Sequence, residues 1–372
     1  MIVSTASAIP QAAEAMPSSK APVLSSPDQV TPAELTAILN QVGLAGTVES
    51  VRWQRIGAGQ VGQNARFTLS ADGALPQTLV GKFPATDPIS RQTGVLLRNY
   101  EREAFFYSAL AATVDIRTPA ILAVQFDPDT HEFMLLMEDL APGFQIDQRS
   151  ECSTDQAALA LEELAKLQGP RWGDAALAQH ELLLRPPPDP GEAPIYNTTQ
   201  QGFTERYADR LSDAELNAVL RFGEVQAAYL NHEVPRTLIH IDYRLDNMIF
   251  GEAGESPPRP LTVFDWQSIG LGCALNDASY FLGTSLAPEH RAKAERGLLK
   301  HYLEVLRSYG IDLGWDACWK LYRQHAPAGL HMAVVASMIV GETERGNDMF
   351  MTMAKRSIAM CEDLESLDLL SG

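Results

Sequence analysis

The chain has 372 residues, 45% of them apolar, which is enough for two lobes with cores of their own. Its 47 acidic residues against 29 basic ones leave a formal charge of −18, a surface that repels nucleic acid and anionic membrane. No apolar run reaches membrane-spanning length, and the four cysteines (Cys152, Cys273, Cys318, Cys361) are far apart with no C-x-x-C, which reads as reduced thiols in a cytoplasmic protein.

Residues 1–28 are rich in Ala, Ser and Pro and lack the basic start and apolar centre of a signal peptide, so they read as a flexible tail. Thr31-Pro32-Ala33-Glu34 is a capping box with proline at the first helical position, and a short helix should run to about Val42. VESVRWQRI and NARFTLS then flank Gly57-Ala58-Gly59-Gln60-Val61-Gly62. A G-x-G-x-x-G serves two unrelated phosphate sites. The dinucleotide version needs a helix after the glycines and an acidic residue about twenty positions on. Here an alternating, strand-like segment follows, and the residue twenty beyond Gly62 is Lys82. The pattern is strand, glycine loop, strand, in which Gly57, Gly59 and Gly62 let the backbone approach a phosphate without a Cβ clash.

Lys82 lies in TLVGKFPA, a third strand; the only other lysine before Pro119 is Lys20, in the tail. RNYEREAFFYSALAA reads as a helix offering Glu101 and Glu103 as anionic partners for it, one of which must simply be solvated. EFMLLMEDL, 132–140, is a strand leading out of this first lobe, which spans 29–140 and, beyond the short helix, is from about 45 mostly β with one helix. The remainder, 141–372, is mainly helical: 154–168 capped by Ser153 or Thr154, an exposed proline-rich excursion at 185–194, a long helix at 212–232, and helices at about 288–309, 316–343 and 348–365.

The densest chemistry is in LIHIDYRLDNMIF, 238–250, and LTVFDWQ, 261–267. His240, Asp242 and Asn247 form H-x-D-x-x-x-x-N in a polar loop between two apolar runs, and Asp265 ends a third apolar run. Each part alone has a bland reading, as a turn or a strand end. Together they are the set that phosphoryl transfer needs: one carboxylate to orient a hydroxyl and take its proton, an amide oxygen and a second carboxylate to hold magnesium against phosphates. A zinc site at His240 has no metal-spaced partners nearby.

These residues resemble the kinase-like phosphotransferases of small molecules: the aminoglycoside phosphotransferases, choline kinases and ecdysteroid kinase-like proteins. The resemblance covers roughly 45–365 and is strongest at the catalytic loop, where Arg244 and Asp246 before Asn247 look closest to the ecdysteroid or choline kinase-like branch. It implies an α+β, bilobal protein-kinase-like fold with a small β-rich N-lobe and a larger helical C-lobe, using ATP and Mg2+. By position it implies Asp242 as the catalytic carboxylate, Asn247 and Asp265 as metal ligands, and Lys82 on the α- and β-phosphates. It also implies Glu103 as the partner of Lys82, and the backbone around Met137 and Glu138 as the adenine hinge. Asp277 matches the family aspartate that supports the catalytic loop. Two departures stand out: Ile241 replaces a usual glycine, and Trp266-Gln267 replaces the Phe-Gly of protein kinases.

The acceptor is expected to be a small-molecule hydroxyl. GLHMAVVASMIVG, 329–341, is apolar on nearly every face, and Met332 and Met338 would suit an adaptable apolar wall. Glu342, Glu344 and Asp348 follow only after it. A largely apolar alcohol is therefore expected, with an aminoglycoside or choline-type acceptor as the alternative and a non-catalytic nucleotide-binding fold as the rival of another class.

Overall fold

A computed structural model of the chain describes residues 22–57, 61–73, 75–184, 192–230, 236–251 and 260–372. The first lobe contains α1 (Pro32–Gln41), β1 (Val48–Ile56), β2 (Gly62–Ala71), β3 (Thr78–Pro84), α2 (Pro88–Leu96), α3 (Asn99–Phe105), β4 (Ile121–Phe126) and β5 (Phe133–Glu138). The Thr31–Glu34 box caps α1 in both directions. The strands make one antiparallel sheet in the order β1-β2-β3-β5-β4. Alternate residues face opposite sides of a strand. Ala65, Phe67, Leu69, Leu79 and Phe83 therefore pack with Leu35 and Leu39 of α1, while Asn64, Arg66, Val80 and Lys82 face the cleft below. The glycine loop's Gly59 and most of the expected tail fall outside the described residues. The last part of that tail lies against the sheet, where the Leu24 N–H donates to Gln125 and the Trp53 indole to Asp28.

Beyond α1, sequence reading expected one helix between about 45 and 140, and the described residues there form two α-helices, α2 and α3. α2 escaped notice because it has no apolar stripe: only Gly94 in it is buried, while Ile89 and Leu96 face solvent. α3 continues into a π-turn over Phe106–Leu110.

The second lobe contains α4 (Thr154–Gln168), α5 (Ile195–Arg206), α6 (Asp213–Glu224), α7 (Gln226–Leu230), β6 (Arg236–Ile239), β7 (Met248–Phe250), β8 (Leu261–Val263) and β9 (Gly270–Cys273). α8 (Ala274–Ser285), α9 (Pro288–Ser308), α10 (Trp315–Gln324), α11 (Ala328–Ile339), α12 (Glu344–Asp363) and α13 (Ser366–Ser371) complete it. Ser153 caps α4. Two expected helices are broken. The 212–232 helix stops at Val225, just after Gly223, a poor helix former whose added Cβ would come within 2.7 Å of Gln200; its end, and the proline-rich stretch 185–191, lie outside the described residues. The 316–343 helix divides at Pro327, which has no N–H to donate and crowds the preceding turn. Among the described residues no helix is long and apolar enough to cross a membrane.

Two small ribbons position the catalytic segment: β6 pairs with β9, and β7 with β8. The connection between the lobes adds to the second ribbon, where Phe144 and Phe250 exchange backbone hydrogen bonds of 2.8 Å in both directions.

Candidate active site

The catalytic loop leaves β6 at His240 and is held from below by α8. Asp277, in the first turn of that helix, accepts the backbone N–H of His240 at 2.6 Å and of Ile241 at 3.0 Å. Ile241 has φ +72°, the left-handed region that β-branched residues avoid. Holding an L-residue there costs about 1–2 kcal/mol, and the glycine that Ile241 replaces would not incur it. Burial pushes the Asp277 carboxyl up to about 7 against the pull of its two N–H bonds. The His240 ring is neutral, because burial lowers its pKa. Its Nε2 lies 3.1 Å from the Phe264 carbonyl, so Nε2 carries the proton. His240 is thus a packing residue under the loop, against Tyr243 and Trp266.

Asp242 is gripped on both oxygens. Oδ1 accepts from Arg244 Nε at 2.8 Å and from the Tyr280 hydroxyl at 2.9 Å; Oδ2 accepts from Asn247 Nδ2 at 2.8 Å. Burial favours the neutral acid, but the Arg244 guanidinium and these hydrogen bonds outweigh it and hold the pKa below the ordinary carboxylate value. Asn247 Nδ2 also donates to the Asp242 carbonyl, so the nitrogen end of that amide is committed to the loop and the oxygen end is left for a ligand.

Lys82 is buried on β3 and bridges Glu103 of α3, at 2.7 Å, and Asp265, at 3.0 Å. Burial opposes its charge, yet the two carboxylates overcome this and raise its pKa, so it stays cationic. Burial together with the neighbouring Asp265 pushes Glu103 up to about 7. Glu101, the alternative partner, pairs instead with Arg98. Asp265 is left-handed at φ +69°, which turns its carboxylate into the cleft. The next residue, Trp266, is fully buried and stacks on Phe106 with centroids 3.8 Å apart. Where protein kinases carry a mobile Phe-Gly, this chain has a clamped indole.

Gly57 has φ +68°, and a Cβ on Gly62 would come within 3.2 Å of both Lys82 Cε and the Phe83 carbonyl, so both positions need glycine. The Met137 side chain faces the cleft opposite Val80. The Glu138 N–H is committed to the Ala120 carbonyl at 2.9 Å, and its carboxylate to the Ala120 N–H.

One cavity of about 590 Å³ joins these groups. Its sheet-side half is bordered by Gly57, Lys82, Glu103, Met137, Glu138 and Asp265, and its helical half by Asp242, Asn247, Tyr280, Met332, Met349 and Arg345. Met332 faces the cavity as expected; Met338 does not border it and lies against Gly202 of α5, where a Cβ would be 3.1 Å from its sulfur. Around the catalytic loop three carboxylates are matched by three guanidiniums: Asp242 with Arg244, Asp246 with Arg244 and Arg345, and Asp147 with Arg149 and Arg345.

Sequence reasoning missed Tyr280, Arg345 and the pair Arg66–Asp139. Tyr280 follows Asp277 by one helical turn on the same face, a signal visible only once Asp277 is known to lie under the loop. The others meet partners 73 or more positions away, and no local pattern marks them.

The phosphotransferase enzyme family model matches residues 53–314. No curated protein matches the sequence. A protein from Ralstonia eutropha JMP134 assigned as an aminoglycoside phosphotransferase is 16% identical, with 89% of this chain and 97% of that one covered and a TM-score of 0.51. Ethanolamine kinase from Plasmodium vivax is 13% identical, with 82% and 81% covered and a TM-score of 0.48. At 16% identity the likeness to the first of these speaks for the fold alone. The family match spans most of the sheet lobe, the catalytic loop and the segment carrying Asp265, and so the chain belongs to the phosphotransferase enzyme family and is a kinase of small molecules.

Proposed function

We propose that the chain transfers the γ-phosphoryl group of ATP, with Mg2+, to a hydroxyl of a small, largely apolar alcohol or hydroxylated metabolite. The observation that carries this reading is that Lys82, Asp265 and Asp242, from three separate segments, border one cavity. Asn247 and Asp265 offer oxygen donors of the kind Mg2+ takes alongside phosphate and water. In the donor half one ammonium faces two carboxylates, Glu103 and Asp265, an imbalance that suits a further cation. When bound, Mg2+ would neutralise charge on the phosphoryl oxygens.

The chain's own groups would divide the remaining work. Lys82, steadied by Glu103, contacts the α- and β-phosphates; Gly57, Gly59 and Gly62 cover them. The base lies beside Met137 and Glu138, and since the Glu138 and Ala141 amides are engaged, the backbone of Asp139 and Leu140 supplies the recognising edge. Asp242 orients the acceptor hydroxyl and takes its proton as the oxygen–phosphorus bond forms. Arg244 and Tyr280 fill both lone pairs of Oδ1, so the hydroxyl is addressed to the remaining lone pair of Oδ2, next to Asn247. In this reading the enzyme works in the cytoplasm, where ATP is supplied.

The acceptor reading rests on the wall and on the charge balance. Met332, Ala336, Val340, Met349, Phe350 and Met353 are apolar, and Asp242 and Asp246, the carboxylates bordering this half, each already have an arginine. A polycationic antibiotic needs unpaired carboxylates. A phosphate-transfer screen over apolar alcohols, sterols, amino alcohols and aminoglycosides tests this. Turnover of kanamycin-like compounds alone would overturn the acceptor class and leave the kinase chemistry standing. No thermal shift with Mg-ATP or Mg-GTP would remove the donor assignment as well.

A further inference from the structure

Arg66 faces the cleft from β2, opposite Val80, which is in turn opposite Met137. That row lies two residues, roughly 7 Å, along β3 from Lys82. If Lys82 marks the phosphates, the row marks the base. Arg66 Nε is 2.7 Å from Asp139 Oδ2, and Nη2 is 3.0 Å from Oδ1. The Nη2 contact is a hydrogen bond and the Nε contact is an ion-pair approach, and together they pin the guanidinium between the sheet and the connection between lobes. The Asp139 side chain is only 5% exposed and also accepts the Ala141 N–H at 3.1 Å. Both residues border the cavity, together with the apolar Ile249 and Phe264. Stability alone does not account for the pair, because a buried ion pair is often no more stabilising than apolar side chains of the same volume. With its charge neutralised by Asp139 and one Nη2 donor used, Arg66 presents to a ligand the face of its guanidinium as well as its remaining N–H groups.

We propose that the Arg66 guanidinium, pinned beside the base row by Asp139, stacks on the purine ring of the donor nucleotide and adds to the recognition of the base by the backbone after Glu138. The inference rests on the kinase reading above. A guanidinium is planar, always charged and weakly hydrated, which is why it stacks on aromatic faces. Stacking of this kind changes affinity by roughly 3- to 30-fold.

Calorimetric titration of the full chain separates base from phosphate recognition. The ligands are Mg-ATP and magnesium tripolyphosphate, which has no base. Arg66→Ala should weaken Mg-ATP by roughly 3- to 30-fold and leave tripolyphosphate unchanged. Arg66→Lys, which keeps the charge and an ion pair to Asp139 but loses the plane, should show the same selective loss, so a folding defect in the alanine variant cannot mask the result. Lys82→Ala should weaken both ligands. Unchanged ATP affinity in Arg66→Ala, equal losses for both ligands, or full ATP affinity in Arg66→Lys would each overturn the stacking role while the kinase reading stands. A wild-type chain that binds no Mg-ATP would overturn both.

Discussion

The two halves of the cavity are built on opposite electrostatic plans. In the donor half a single buried ammonium, Lys82, is shared by Glu103 and Asp265 at 2.7 and 3.0 Å, and negative charge is in excess. In the acceptor half Asp242 and Asp246 are matched by Arg244 and Arg345, and the wall behind them is apolar. The first arrangement invites another cation; the second leaves none of its carboxylates for one. The halves also differ in how they are assembled. The donor residues converge from β3, α3 and the segment after β8, whereas the acceptor carboxylate belongs to one short loop fastened onto α8.

The largest expected effect breaks the acceptor half alone. Asp242→Ala should lower turnover by roughly 10²- to 10⁴-fold while Mg-ATP affinity by calorimetry is retained, because Asp242 faces the acceptor. Near-normal turnover would remove the assignment. The matching change in the donor half is Lys82→Met, which leaves Glu103 buried beside Asp265 with no cation. Urea unfolding should show a loss of about 3–5 kcal/mol. Adding Glu103→Gln should recover most of that stability but not nucleotide binding; recovery of both would mean that the lysine has no role beyond the pair.

The anchor of the acceptor loop should be worth less. Asp277→Asn turns an amide N–H toward one of the two backbone N–H groups and should cost about 1–3 kcal/mol. It should also remove a pH dependence. Burial raises the folded-state pKa of Asp277 from 3.8 to about 7. A carboxyl raised in this way stabilises the fold fully in acid, and its contribution is lost as pH climbs through that window. Melting temperatures measured from pH 4 to 8 should carry this downward component in the wild type and lack it in Asp277→Asn. A wild-type slope that survives the substitution would assign it elsewhere.

The smallest effect concerns the strained residue above that anchor. Ile241→Gly and Ile241→Ala both lose the side chain, but only glycine tolerates φ +72° freely. The glycine variant should be the more stable of the two by about 1 kcal/mol. If alanine is as stable as glycine, the loop is not held left-handed in solution.

What the sequence determined by itself was the chemistry and its order along the chain. The array His240, Asp242, Asn247, followed by Asp265 at the end of an apolar run, is local, and loop and strand ends are set by neighbours in sequence. The hairpin at Gly57–Gly62 and the capping boxes at Thr31 and Ser153 were legible for the same reason. Helix ends were less so: Val225 and Pro327 interrupt apolar periodicity that reads as continuous, because the pattern reports burial and not backbone continuity. The resemblance pointed to Glu103 over Glu101 as the partner of Lys82, but the residues alone left both open, because both lie on one helix and its rotation against β3 makes the choice. Tertiary structure alone brought Tyr280 to Asp242, Arg345 to Asp246 and Arg66 to Asp139. Such pairs form between elements far apart in the chain, so the charge balance of each half of the cavity, and with it the preference for an acceptor, exists only once the chain has folded.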